Sequence, residues 1–405
     1  MSSERHHSAP GKDEFAQLLM DALRAADDKS AIEYDAADFR LVTQGEDRQI
    51  FNLSNVYGEY SNASADKQKT ILRNAVRSWF SRLKGIPESF EDAAPDLLPV
   101  VRNRSAFEFV RLRTQLENMG TPNWPHRPLA EHLGVGIVFD LPESMVQIQQ
   151  HQVEEWGVTF EEAFETACRN LWEISLHEFQ SPRPGVWVSP WNDNHDVARL
   201  LLPELIKHHE VRGHPVLMLP NRDTLLVTGS EDEAGLAYLA ERVKEAMEQP
   251  RFLTGIAFHL VDDFLVSYLP EEDHPQFAAL QMLRVQSLAR DYAEQQELLN
   301  SLHEKSGEDV FVASFSALAS KETGRVQTYC VWSEDVDSLL PQTDRVFFVR
   351  KGEGERVDLV GSAEWDKLQD VVGDLLAPQG IYPERYRVAA FPTATQLAQM
   401  RSDED

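Results

Sequence analysis

The sequence predicts an α+β protein built of several small units, each an antiparallel meander flanked by helices, packed in series. Three observations predict it. Some stretches place apolar residues at helical spacing, others alternate apolar with polar, and the two patterns take turns along 405 residues. A chain of that length exceeds one ordinary domain, and 42% apolar with 26% charged residues is the balance of a folded protein with cores of its own.

Residues 1–12 are polar and read as a disordered N-terminus. A helix is expected from Asp13, where Phe15, Leu18, Leu19, Ala22 and Leu23 form one apolar stripe. Segments 31–35, 38–44 and 48–54 alternate as strands do, separated by Ala36 and Ala37 and by the turn residues 45–47. A second helix over 66–83 closes a helix, meander, helix unit at 13–84. The Pro-, Glu- and Asp-rich stretch 85–99 reads as a linker.

The second unit, 100–180, is expected to hold a helix beginning near Asn103, two apolar runs broken by a turn at 140–143, and a well-marked amphipathic helix. Thr159 and Glu162 stand at capping-box spacing before that helix, and Phe164, Ala167, Cys168, Leu171 and Trp172 line its apolar face. In the third unit, 181–270, the pattern gives a helix over 193–210, strands at 214–220 and 224–229, a helix over 232–247 and a hairpin turning at Asp262 and Asp263. The C-terminal extension, 271–405, opens with a long charged helix over 275–305 whose apolar positions keep no heptad. PNRDTLLVTG (220–229) and PQTDRVFFVRKG (341–352) share a Pro, an Asp and a strand, each followed by a helix. Either 181–270 and 311–400 are duplicates, or both are ordinary strand-turn-strand units.

Lysine and arginine number 39 against 67 acidic residues, a formal charge of −28. Such a surface repels a phosphate backbone, so nucleic acid is not an expected partner, whereas basic proteins are steered toward it. Basic residues occur only in short runs such as Arg102, Arg104, Arg111 and Arg113. On a helix from Asn103, Arg104 and Arg111 share a face at i, i+7, where an anionic ligand would bind; the alternative is a solvated face paired with neighbouring acids. Arg222 is a third cationic candidate.

The only cysteines, Cys168 and Cys330, lie far apart without a CxxC, which supports neither zinc nor a disulfide and fits a reducing, cytoplasmic setting. No apolar leader opens the chain and no stretch approaches the roughly 18 apolar residues of a membrane span, so neither export nor a membrane is expected. No metal or cofactor is expected either. GxxxxGK[ST], HExxH and GxSxG are absent, and GVG at 134–136 lacks the third glycine of a dinucleotide site.

The densest polar constellation is WNDNHDVARL, KHHEVRGHP and PNRD within 191–223. His195, Asp196, His214 and Asp223 are residue types that do general acid–base work or bind metals. On a helix, however, His208 and His209 point about 100° apart, and His195 and His209 are separated by roughly 21 Å, too far to share an ion. Each residue also has a structural explanation: Asp193 or Asn194 as N-cap, His208 and His209 at a helix C-terminus, and 221–223 as a turn. Trp187 and Trp191 flank a Pro-rich loop where an aromatic side chain can anchor a partner.

Over residues 13–270 the order of elements, with LLPVVRNRS, VFDLPESMVQIQ, VTFEEAFETACRNL, DNHDVARLLLPEL and HPVLMLPNRDTLLVTGSED, resembles the uncharacterised bacterial YtpQ-like family, a domain of unknown function. The resemblance implies no mechanism, and 275–405 extends past it. Two readings follow. One is a non-enzymatic protein-interaction or regulatory module; the other is a hydrolase in which His195, Asp196, His214 and Asp223 converge.

Overall fold

The computed structural model describes residues 10–44, 50–83, 85–118, 123–141, 144–249, 251–262, 264–320, 325–352 and 356–400. The expected disorder at 1–9, the turn at 45–47, residues 142–143 and Asp263 lie outside them. The fold is α+β. Internal packing defines two compact units, one comprising 1–98, 137–170 and 248–252, the other 99–136, 171–247 and 253–405. The contiguous blocks read from the sequence do not follow this division, since 100–180 contributes to both.

In the first unit α1 (Lys12–Ala25) starts where Glu14 Oε2 accepts the Gly11 N–H at 3.0 Å. Strands β1 (Ile32–Asp35), β2 (Arg40–Thr43) and β3 (Ile50–Asn52) follow as an antiparallel meander, Ile32 opposite Thr43 and Arg40 opposite Asn52. Two helices close it, α2 (Ser54–Ser61) and α3 (Ala65–Leu83). Helix α2 is not foreshadowed in the sequence because it buries no residue fully and so needs no apolar stripe. Its Tyr57 and Tyr60 rings pack on Phe15, at the edge of a core of Phe15, Leu19, Leu23, Leu41, Leu53 and Trp79.

The stretch read as a linker, 85–99, is folded. It forms α4 (Phe90–Ala93), whose first turn is capped by Ser89 Oγ accepting the Asp92 N–H, then a 3-10 turn (Ala94–Asp96) with Pro95 inside. Trp156 Nε1 donates to the Pro87 carbonyl at 3.0 Å, and Asn170 Nδ2 to Ala94 and Leu97 at 2.7 and 2.9 Å. Proline and acidic residues suit the starts of helical turns as well as loops, which is why composition alone misleads here.

The chain continues through β4 (Leu97–Asn103), α5 (Arg104–Leu116), β5 (Arg127–Pro128), β6 (Leu133–Leu141), β7 (Ser144–Gln147), α6 (Gln150–Glu155) and α7 (Phe160–Glu173). Within the first unit β7 pairs antiparallel with the end of β6, Val138 opposite Gln147. The capping box of α7 is formed: Thr159 N–H donates to Glu162 Oε2 at 2.7 Å and Glu162 N–H to Thr159 Oγ1 at 3.2 Å. Ala163, Phe164, Ala167 and Leu171 are buried, but Trp172, about 100° round the helix from Leu171, falls off the stripe and is 49% exposed.

The second unit then adds β8 (Gln180–Arg183), β9 (Val186–Val188), α8 (Pro203–Lys207), β10 (Pro215–Asn221), β11 (Thr224–Gly229), α9 (Glu233–Ala246), β12 (Ala257–Val261) and β13 (Phe264–Tyr268). The strands form one sheet in the order β13-β12-β10-β11-β9-β8. Helix α10 (Phe277–Ser306) packs close to Gly255: a Cβ there would stand 2.8 Å from the Leu283 carbonyl, so only glycine allows the approach.

Beyond it come β14 (Phe311–Val312), β15 (Ser316–Ala319), β16 (Val326–Ser333), β17 (Ser338–Pro341), β18 (Arg345–Lys351), β19 (Val357–Glu364), α11 (Trp365–Val372), β20 (Ala377–Pro378), β21 (Arg385–Val388) and α12 (Ala394–Met400). They make two four-stranded sheets, β14-β17-β21-β20 and β15-β16-β18-β19. Cys330, Trp332, Val346, Phe348 and Ala363 share a core with Leu368 and Val372 of α11 and Leu397 and Met400 of α12. The two Pro-Asp segments differ in topology. PNRD turns the β10-β11 hairpin, whereas PQTD carries the chain from β17 in one sheet to β18 in another, and the helix follows β19. Duplication is not supported. Among the described residues no helix is long and apolar enough to cross a membrane.

Candidate functional site

The helix expected over 193–210 does not form. Asn192 and Asn194 adopt left-handed backbone, φ 52° and 68°, only a 3-10 turn (Val197–Leu201) follows, and α8 begins at Pro203, which has no N–H to extend a preceding helix. Asp193 therefore caps nothing. Its carboxylate accepts the His195 N–H at 3.0 Å and holds Arg199 through Nη1 at 2.9 Å and Nη2 at 2.7 Å. The Arg199 side chain is fully buried, donates Nε to Ser175 Oγ at 2.9 Å and lies 4.0 Å over the Trp191 ring. Burial pushes the Asp193 carboxyl up, but the hydrogen bonds and charge of Arg199 outweigh it and hold its pKa below the ordinary value.

His195 is buried with Nδ1 3.3 Å from the Pro99 carbonyl, and Asp196, fully buried, accepts the Asp193 N–H at 3.2 Å. Burial raises the Asp196 carboxyl against its hydrogen bonds from Ser189 and the backbone. Val197 N–H donates to the Arg222 carbonyl, which brings the 221–223 turn beside this segment; within the turn Asp223 N–H donates to Asn221 Oδ1 at 3.0 Å. His214 does not join them. It precedes β10 while Asp223 follows it, and seven residues of strand separate the two ends by about 20 Å. The ring of His214 packs instead near His259, centroids 5.8 Å apart. The four residues of the hydrolase reading share no point that one substrate could occupy. Among the described residues no group of three or more His, Cys, Asp and Glu is placed to hold a metal ion.

A cavity of about 480 Å³ opens on α5 in the second unit. Arg104 and Arg111, on one face of α5, both line it, with Phe107, Trp124, His126, Tyr382 and Arg385; Arg222 lies elsewhere. Arg111 is gripped by Glu108, Nε to Oε2 at 3.0 Å and Nη2 to Oε1 at 2.6 Å, which raises its pKa. Arg104 donates Nη1 to the Glu131 carbonyl at 2.9 Å and stacks 4.2 Å over the Tyr382 ring. Phe107 and His126 stack at 4.2 Å and 5°. Arg385, 1% exposed, donates to Gln295 Oε1 at 2.6 Å and to the carbonyls of Ala313, Leu339 and Tyr292 at 2.7, 3.1 and 3.2 Å, all neutral acceptors; burial lowers its pKa to about 10.

Nearby, His132 Nδ1 is hydrogen-bonded to the Tyr382 hydroxyl, and Ser105 Oγ donates to Asp291 at 2.8 Å. Asp291 keeps part of its area at the surface, yet dense packing around its carboxylate desolvates it and pushes its pKa up to about 7, the Ser105 bond opposing. The unfolded chain ionises this carboxyl near its ordinary value and the folded chain only near neutrality. Its contribution to stability is therefore expected to fall as pH rises from about 4 to about 7 and then level off. Urea titrations across that range check this, because Asp291→Asn, which keeps a hydrogen-bonding partner for Ser105, is expected to remove this residue's share of the slope and leave the protein less sensitive to pH between about 4 and about 7.

The outward face of the β15-β16-β18-β19 sheet carries an apolar band between charged residues, Arg345 and Glu364 at one end and Lys351 opposite Val357 at the other. Val331 on β16 stands opposite Phe347 on β18, and Val349 on β18 opposite Leu359 on β19, so one band crosses three strands. The Tyr329 ring meets Phe347 edge-on at 5.4 Å, while Leu359 and Val357 are 63% and 64% exposed. Among the described residues β19 pairs with β18 alone, which leaves its other edge open.

Comparison of the chain with protein-family models, with curated proteins and with solved structures finds no match in any of the three.

Proposed function

We propose that the chain is a non-enzymatic protein-interaction module whose docking surface is the outward face of the β15-β16-β18-β19 sheet. The supporting observation is the apolar band of Val331, Phe347, Val349, Leu359 and Val357, which meets an open strand edge. Apolar side chains there give a partner area to bury, and the edge of β19 offers main-chain donors and acceptors to an added strand. The partner is a basic protein, because a chain of −28 steers cations toward itself and repels other acidic chains.

A photo-reactive side chain installed at Leu359 in living cells, with exposed Leu176 as control site, tests this. The expected result is cross-linking to one basic protein from Leu359 and not from Leu176. That protein, purified, is expected to bind more weakly with rising salt and at least tenfold more weakly to Leu359→Asp. Equal labelling from both sites, self-linking alone, or unchanged affinity in the variant would overturn the reading.

A further inference from the structure

We propose that the cavity on α5 binds a small organic anion, a carboxylate or phosphate carried on a flat ring. Charge supplies the first argument. In a chain with 67 acidic residues many arginines find a carboxylate, as Arg111 does in Glu108. Arg104 does not: among the described residues its partners are a carbonyl and the face of Tyr382. Arg385, in the wall of the same cavity, is held by neutral oxygens alone. Glu384 also lines the cavity, a second carboxylate beside Glu108, and its Oε2 accepts the Tyr386 hydroxyl at 3.1 Å. The lining thus carries three guanidinium groups, Arg104, Arg111 and Arg385, against two carboxylates, Glu108 and Glu384, a net positive charge in a strongly negative protein, and an oxyanion suits the fork of Arg104.

Shape supplies the second argument. The volume of about 480 Å³ lies within the range of small-molecule sites, and the stacked Phe107 and His126 rings with Trp124 give flat walls for a planar group. This inference is independent of the docking surface, which lies on other residues.

Calorimetric titration of the full chain with benzoate, phenyl phosphate, inorganic phosphate and neutral benzamide tests it. Saturable binding of at least one ring-bearing anion is expected, tighter than inorganic phosphate, with none for benzamide. Arg104→Gln should weaken that binding at least tenfold, Arg104→Lys less, since it keeps the charge and loses the fork, while Arg222→Gln leaves it unchanged. Arg104 is half-exposed, and matching denaturation midpoints would confirm that its variants are folded; Trp124→Ala, on a loop, gives a second reading through loss of the ring contribution. No saturable binding by either ring-bearing anion, equal binding of benzamide, or undiminished binding by Arg104→Gln would overturn the proposal.

Discussion

Replacing Arg199 by alanine is expected to destabilise the second unit by about 3 kcal/mol, since a fully buried guanidinium and its bonds are lost while the carboxylate left behind is one-third exposed and partly hydrated. The change strands the Asp193 carboxylate, frees the Ser175 hydroxyl and removes the cation from the Trp191 face. Asp193→Ala should cost at least as much, since it leaves a fully buried guanidinium unpaired. The pair also has a pH signature. Because the Asp193 carboxyl is held below its ordinary value, the stability it contributes is complete at neutral pH and drains away in acid, as pH falls through the depressed pKa. Urea midpoints of the three proteins at pH 7 and in acid check this; a loss below about 1 kcal/mol for Arg199→Ala would mean the pair contributes as weakly as a surface one.

Arg385→Ala is expected to cost on the order of 5 kcal/mol by a different route. No carboxylate is stranded. Instead, Gln295 Oε1 and the carbonyls of Ala313, Leu339 and Tyr292 all lose their donor at once around a side chain that is 1% exposed, and a void replaces it. Lysine should not rescue the loss, because three donors on one nitrogen cannot reach oxygens arranged around a planar fork. Thermal midpoints of the wild type, Arg385→Ala and Arg385→Lys make the comparison, and recovery by lysine would show that charge, and not donor geometry, is what the site requires.

What the sequence made legible follows its periods. The capping box before α7, the β10-β11 and β12-β13 hairpins and the length of α10 all rest on local patterns, and each is present; in α1 the helix is present and Phe15, Leu19 and Leu23 are buried, but with Ala16 and Met20, while Leu18 is 36% exposed. Helix α2 was hidden because it buries no residue fully, and the helix expected over 193–210 fails at Pro203, where a local rule outweighed an apolar pattern. The site divides the same way. Arg104 and Arg111 share a wall because helical spacing put them on one face, so that pairing was readable. Tyr382 and Arg385 reach the same cavity from a loop and from β21, and no periodicity connects them to α5. The apolar band was equally hidden: no local pattern joins Val331 on β16 to Leu359 on β19, and only the sheet shows that they share a face.

The division of the chain bears on the order in which the protein can be made. The first unit needs residues 248–252, where Arg251 Nη2 reaches Glu59 at 2.6 Å. A ribosome delivers that piece only after residues 171–247 of the second unit have been synthesised. The N-terminal unit, first to emerge, is therefore completed late, and a nascent chain halted before residue 248 holds Glu59 still waiting for its arginine.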